Sequence, residues 1–156
     1  MRPRRLVPVA VAIVGLVAVV VGVRQELVHV APGYEGTIMT GWGGGLNHEE
    51  RLLSRLALVG VAGAAATLRW RRLAFVPVAT GVVVLFYALR AVLYYALDPG
   101  LYVEVSVYSG PTRFVLGAEP VLLVAGGALL VAAGVVGWRD GSAHADATVG
   151  SSTLSA

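Results

Sequence analysis

At 156 residues the chain has the length of one soluble domain, yet 57% of it is hydrophobic, 13% is charged and the mean hydropathy is +0.78. Soluble domains carry about 25% charged residues, so lipid is the expected solvent for much of this surface. The net charge of +3 rests on twelve Arg and no Lys, and the lack of Cys excludes disulfides, thiolate zinc sites, iron–sulfur clusters and cysteine nucleophiles.

Four apolar runs are expected to cross a bilayer: 6–23, 52–68, 73–97 and 121–138, of 18, 17, 25 and 18 residues. About 20 residues span a hydrocarbon core of about 30 Å. Inside lipid every backbone N–H and C=O needs an internal partner, so each run is predicted to be helical despite its many Val residues. The first run follows a basic start, but it is longer than a signal-peptide core and lacks a small-residue cleavage site, so it is read as an uncleaved span. The second is short. Its uninterrupted part, 56–68, covers only about 20 Å at 1.5 Å per residue, and Arg55 must reach outward. The third contains Arg90, with Pro77 near its first turn; the fourth is free of charge.

Arginine placement orients the chain. Arg2, Arg4, Arg5, Arg69, Arg71, Arg72 and Arg139 flank the spans on one side, against Arg24, Arg51, Arg55 and Arg113 on the other. Flanking positive charge stays cytoplasmic, so both termini are expected inside, in a multi-pass protein of the cell membrane. Trp70 and Trp138 would then mark the inner interface, with Tyr94 and Tyr95 near the outer one. Because the arginines sit at the ends of apolar runs and form no soluble basic face, nucleic acid is not an expected partner despite a pI near 9.7.

Outer loops are expected at 24–51 and 98–120, joined to the spans in one membrane domain, 1–139, with residues 140–156 a disordered cytoplasmic tail rich in Ser, Ala, Thr and Gly. The first loop carries Pro32-Gly33 and Gly43-Gly44-Gly45 as turn signals, a short strand candidate at 37–40, and Asn47 with Glu50 as a capping box that starts a helix near His48. The second alternates Val103, Val105 and Val107 with Tyr102, Glu104, Ser106 and Tyr108. A turn at Ser109-Gly110-Pro111 and a return strand over 113–116 complete a hairpin. The fold class is therefore an all-α transmembrane four-helix bundle with a small outer β cap. Its layout resembles the claudin-type tetraspan plan in topology, with Trp42-Gly43-Gly44-Gly45-Leu46 standing for that family's Trp and Gly-Leu-Trp pattern and without its paired cysteines. In composition, Lys-free, Cys-free and rich in Val, Ala and Gly, the chain is similar to small multi-pass membrane proteins of halophilic archaea. Neither likeness implies an activity.

Small residues form stripes at helical spacing: Gly15, Ala18 and Gly22; Gly60 and Gly63 with Ala64 and Thr67; Gly126, Ala133 and Gly137; Gly127 and Gly134. Such faces let helices approach closely, within one monomer or against a homo-oligomer or partner helix. Arg90 lies about 10 Å inside the end of its helix, where a guanidinium is costly unless paired or hydrated. It is expected to pair with Glu26, Asp98 or Glu119 and clamp the outer helix ends; the alternative is that it lines the path of a small transporter or channel subunit. His29, His48, Glu49 and Glu50 lack the second His of a zinc helix motif, so no metal is expected, and no Lys follows the triple glycine as in a phosphate loop. Ser54 and Thr67 are expected to hydrogen-bond along their helices. With no convergent acid–base set and no cofactor motif, the reading is a non-enzymatic structural or accessory membrane protein. It would bind a membrane-protein partner through its outer loops or small-residue faces.

Overall fold

The computed structural model describes residues 6–25, 28–32, 48–97 and 114–152. Their architecture is all-α, built on four helices: α1 Val7–Gly22, α2 His48–Ala66, α3 Phe75–Leu97 and α4 Glu119–Ser152. Two short strands, β1 Val28–Val30 and β2 Phe114–Leu116, pair antiparallel with His29 opposite Val115.

Local chemistry accounts for the boundaries. Pro8 sits in the first turn of α1, where a missing N–H costs nothing. The start of α2 at His48 places Glu49 and Glu50 in the first turn, favourable toward the helix dipole; Asn47, its expected cap, lies outside the described residues. After Ala66 the chain turns tightly, with the Trp70 N–H donating to Ala66 O at 2.8 Å. A 3₁₀ turn, Arg71–Ala74, then leads into α3. Pro77 has no N–H to offer the Leu73 carbonyl, so regular α-helical bonding cannot extend further back there.

The helix ends establish an up-down-up-down bundle. Gly22 of α1 meets Leu122 and the Glu119 carbonyl at the start of α4, Gly63 of α2 meets Val76 and Pro77 at the start of α3, and Gly137 of α4 meets Thr67 at the end of α2. All four helices therefore share one end at which α2 and α4 begin, here the acid end, and an opposite arginine end formed by the 67–74 link and residues 137–139.

α4 packs along both α1 and α3. It does so through adjacent glycines pointing about 100° apart. A Cβ on Gly126 would stand 2.6 Å from a Val19 methyl and 2.9 Å from the Gly15 carbonyl oxygen. A Cβ on Gly127 would stand 2.8 Å from the Leu85 side chain and 2.9 Å from the Gly81 carbonyl oxygen. Around these crossings the buried residues are mostly small (Ala12, Ala57, Ala64, Ala88 and Ala133, with Val19, Val84, Leu123 and Leu130), while large apolar side chains face outward on every helix. Phe86 is 69% exposed and Leu89 65%.

Two stretches, Arg71–Leu97 and Glu119–Arg139, are long and apolar enough to cross a membrane, and α1 is a shorter apolar helix. Within the stretch 140–156, expected to be a disordered tail, α4 runs through Ser152, and residues 153–156 lie outside the described residues. Alanines 143, 145 and 147 have the highest helix propensity, and a helix already nucleated extends one hydrogen bond at a time without paying for a new nucleus. In the loops, 114–116 is extended as expected, but its described partner is Val28–Val30 of the other loop; the expected strands at 37–40 and 102–108 lie outside the described residues.

Candidate functional site

The acid end gathers the described carboxylates of the bundle. α2 and α4 run parallel, so both begin here, and each brings carboxylates in its first turn: Glu49 and Glu50 from α2, Glu119 from α4. Tyr87, more than two turns back from the end of α3, faces α2 and donates its phenolic hydrogen to Glu49 Oε2 at 2.7 Å. This bond ties α3 to the start of α2, and the β1–β2 pair ties the two loops above it.

Glu119 stands just ahead of the charge-free run 121–138 and is half-buried. Its burial, and secondly the Glu50 carboxylate, raise its pKa from 4.5 to about 7. A helix start favours a carboxylate, but desolvation beside a like charge outweighs that dipole.

Arg90 lies beside an aromatic ring of its own helix. Its guanidinium lies 5.3 Å from the centroid of the Tyr94 ring, one turn along the same helix, on an exposed face. Glu119 instead faces Glu50 across the α2–α4 junction, and Glu26 and Asp98 lie outside the described residues. A tyrosine at i+4 is within local reach of an arginine, and Tyr94 is such a neighbour.

The predicted packing glycines are at the helix crossings. Gly15, Gly22, Gly60, Gly63, Gly126, Gly127, Gly134 and Gly137 are buried against other helices of the same chain, and Ala18 is half-buried. The small-residue faces are thus spent inside the bundle. Sequence reasoning missed Gly81, the partner of Gly127, and Thr80, whose hydroxyl donates to the Val76 and Pro77 carbonyls at 3.1 Å. The Thr80-Gly81 pair, three and four residues after Pro77, was the available signal for a close crossing. Ser54 and Thr67 donate back along their helix, to Glu50 O at 3.0 Å and to Ala64 O at 2.6 Å.

Among the described residues no group of three His, Asp or Glu is arranged to hold a metal ion. Thr80 is the one buried polar side chain among them, and none of their buried side-chain polar atoms lacks a hydrogen-bond partner. Comparison with protein-family models, with curated proteins and with solved structures found no match to this chain.

Proposed function

We propose that this chain is an integral membrane protein whose four helices cross the bilayer, with the arginine end on the cytoplasmic side. In this reading it is a non-enzymatic structural or accessory component that meets a membrane-protein partner at its acid end. One observation carries the membrane assignment. Ala and Gly make up most of the interior, with a few Val and Leu, while Phe86, Leu89, Leu93 and Val83 project outward, unlike a water-soluble core. In lipid this distribution costs nothing, because the acyl chains solvate the large side chains and the small ones let the helices close together.

The partner assignment draws on position. With the small-residue faces used up internally, the acid end with its paired loop strands is the surface for a protein partner on the outer side. A polar path through the bundle is the weaker reading, since Arg90 stacks on Tyr94 at an exposed face and the described interior is apolar apart from Thr80.

Carbonate extraction of cell membranes, combined with tags on both ends read by protease protection, tests the assignment. We expect the chain to resist extraction and both tags to be shielded in sealed right-side-out vesicles. Release into the soluble fraction, or tags in opposite compartments, would defeat it. Mild crosslinking from cysteines introduced near β1 and β2, followed by pulldown, tests the partner; recovery of the monomer alone counts against it.

A further inference from the structure

At the arginine end four cationic side chains and two indoles come together from three elements. The Arg71 guanidinium, in the 3₁₀ turn before α3, lies 5.4 Å from the centroid of the Trp138 ring on α4. Arg69, in the turn after α2, lies 5.7 Å from that of Trp70. Arg72 and Arg139 are exposed beside them. Gly137, whose added Cβ would lie 3.3 Å from the Thr67 hydroxyl, holds the α4 strip against the turn that carries these residues. Both tryptophans are more than half exposed, Trp70 at 59% and Trp138 at 53%. Every described acidic side chain (Glu49, Glu50 and Glu119) sits at the opposite end; in sequence, Asp140 is the nearest acid.

We infer that this end is a binding site for the phosphate-bearing headgroup of an anionic phospholipid, formed by Arg69, Arg71, Arg72 and Arg139 and bordered by Trp70 and Trp138. The inference rests on the membrane reading above, and adds to it a lipid class and a place. The Arg69 guanidinium, near the Trp70 indole, carries a planar fork of N–H donors suited to phosphate oxygens, as do Arg72 and Arg139. Indoles of this exposure settle at the headgroup level, which sets the depth at which the four arginines meet phosphate. A lipid headgroup is favoured over free phosphate because the patch lies at the rim of a bundle whose outward face is apolar, so an acyl chain has a surface to lie along as the headgroup docks.

The test uses the full chain purified in a non-ionic detergent, with bound lipids counted by native mass spectrometry. Phosphatidylglycerol and phosphatidylcholine are titrated separately, alongside inorganic phosphate. Each basic residue near an anionic surface is worth about fivefold in affinity, so phosphatidylglycerol is expected to win by more than tenfold. A variant carrying Arg69→Gln, Arg72→Gln and Arg139→Gln is expected to lose about a hundredfold, while Arg51→Gln with Arg55→Gln, at the acid end, leaves binding unchanged. Equal retention of the two lipids, or equal loss in both variants, overturns the inference while leaving the membrane reading intact. Saturation by millimolar inorganic phosphate without lipid discrimination overturns the choice of a lipid. A chain that stays monodisperse without detergent overturns the membrane reading itself.

Discussion

Replacing Glu119 by Gln should stabilise the bundle at pH 8 and leave it nearly unchanged at pH 4.5. The wild-type carboxyl titrates at about 7 in the folded state against 4.5 ordinarily, because it is buried and because Glu50 lies near. Below pH 4.5 it is protonated whether the chain is folded or not. Between 4.5 and 7 the folded state holds the proton and the unfolded state releases it, so stability falls as the pH rises through this window; above 7 both states are charged and the cost is fully present. At about 1.4 kcal/mol per pKa unit the upper bound is roughly 3 kcal/mol. Glu119 keeps contact with solvent, which reduces this to about 1–2 kcal/mol. For a chain of this size that is a melting-temperature gain of about 3–6 °C.

The assay is thermal unfolding in detergent, followed by tryptophan fluorescence at half-unit steps from pH 4.5 to 8. Wild type should lose stability across the window and Glu119→Gln should not. Glu50→Gln, read only through the shape of its pH profile, should move the wild-type midpoint toward lower pH by less than burial moves it upward. Parallel profiles for wild type and Glu119→Gln would refute the buried-carboxyl argument, as would a variant less stable than wild type at pH 8.

Gly126→Ala places a methyl 2.9 Å from the Gly15 carbonyl oxygen and 3.0 Å from the Val19 backbone nitrogen, so it should cost about 1–3 kcal/mol. Gly137→Ala meets only the Thr67 side chain, at 3.3 Å and beyond, and should stay within about 0.5 kcal/mol of wild type; similar melting temperatures for the two variants would contradict the crossing geometry. Tyr87→Phe removes the hydrogen bond to Glu49, and a double-mutant cycle with Glu49→Ala should return a coupling of about 0.5–1.5 kcal/mol; a coupling of zero would detach α3 from the start of α2. Phe86→Asp, at the exposed midpoint of α3, should cost about 3 kcal/mol of insertion free energy and reduce the membrane-integrated fraction in a glycosylation-tag assay; improved solubility with no loss of integration would indicate that water covers this face.

How far this arrangement is written in the sequence differs from element to element. The apolar runs 73–97 and 121–138 carry their own evidence, because length and scarcity of charge are local properties; α3 matches the first closely and α4 contains the second, running on to Ser152. The start of α2 at His48 was legible for the same reason, from acids placed one turn ahead of an apolar run. The two glycine stripes of α4 were legible as well. Since Gly126 and Gly127 are neighbours, their stripes had to face different helices, and they meet α1 and α3. Pairings between distant segments left no such mark. β1 is three residues of Val-His-Val with no turn leading to its partner, so its union with 114–116 could not be read from either loop alone. For Arg90 the i+4 spacing to Tyr94 was legible, and the two lie 5.3 Å apart, guanidinium to ring centroid; the expected acids Glu26 and Asp98 lie outside the described residues.

The acid end and the interior obey one constraint. Burying Ala and Gly removes little apolar surface from water, at about 25 cal/mol per Å², so a bundle whose crossings are made by Gly15 with Gly126 and Gly81 with Gly127 gains little hydrophobic drive from closing. What it gains is backbone proximity, and proximity stabilises where no water competes for the backbone and the large side chains already have an apolar solvent. At the acid end Glu119 is half-buried and feels the Glu50 charge. The pKa of Glu119 is raised by burial and by Glu50, at the end of a bundle that glycine crossings close in its middle. Widening the α1–α4 crossing with Gly126→Ala should lower the Glu119 titration midpoint toward 4.5, even though the substituted residue lies two helical turns away.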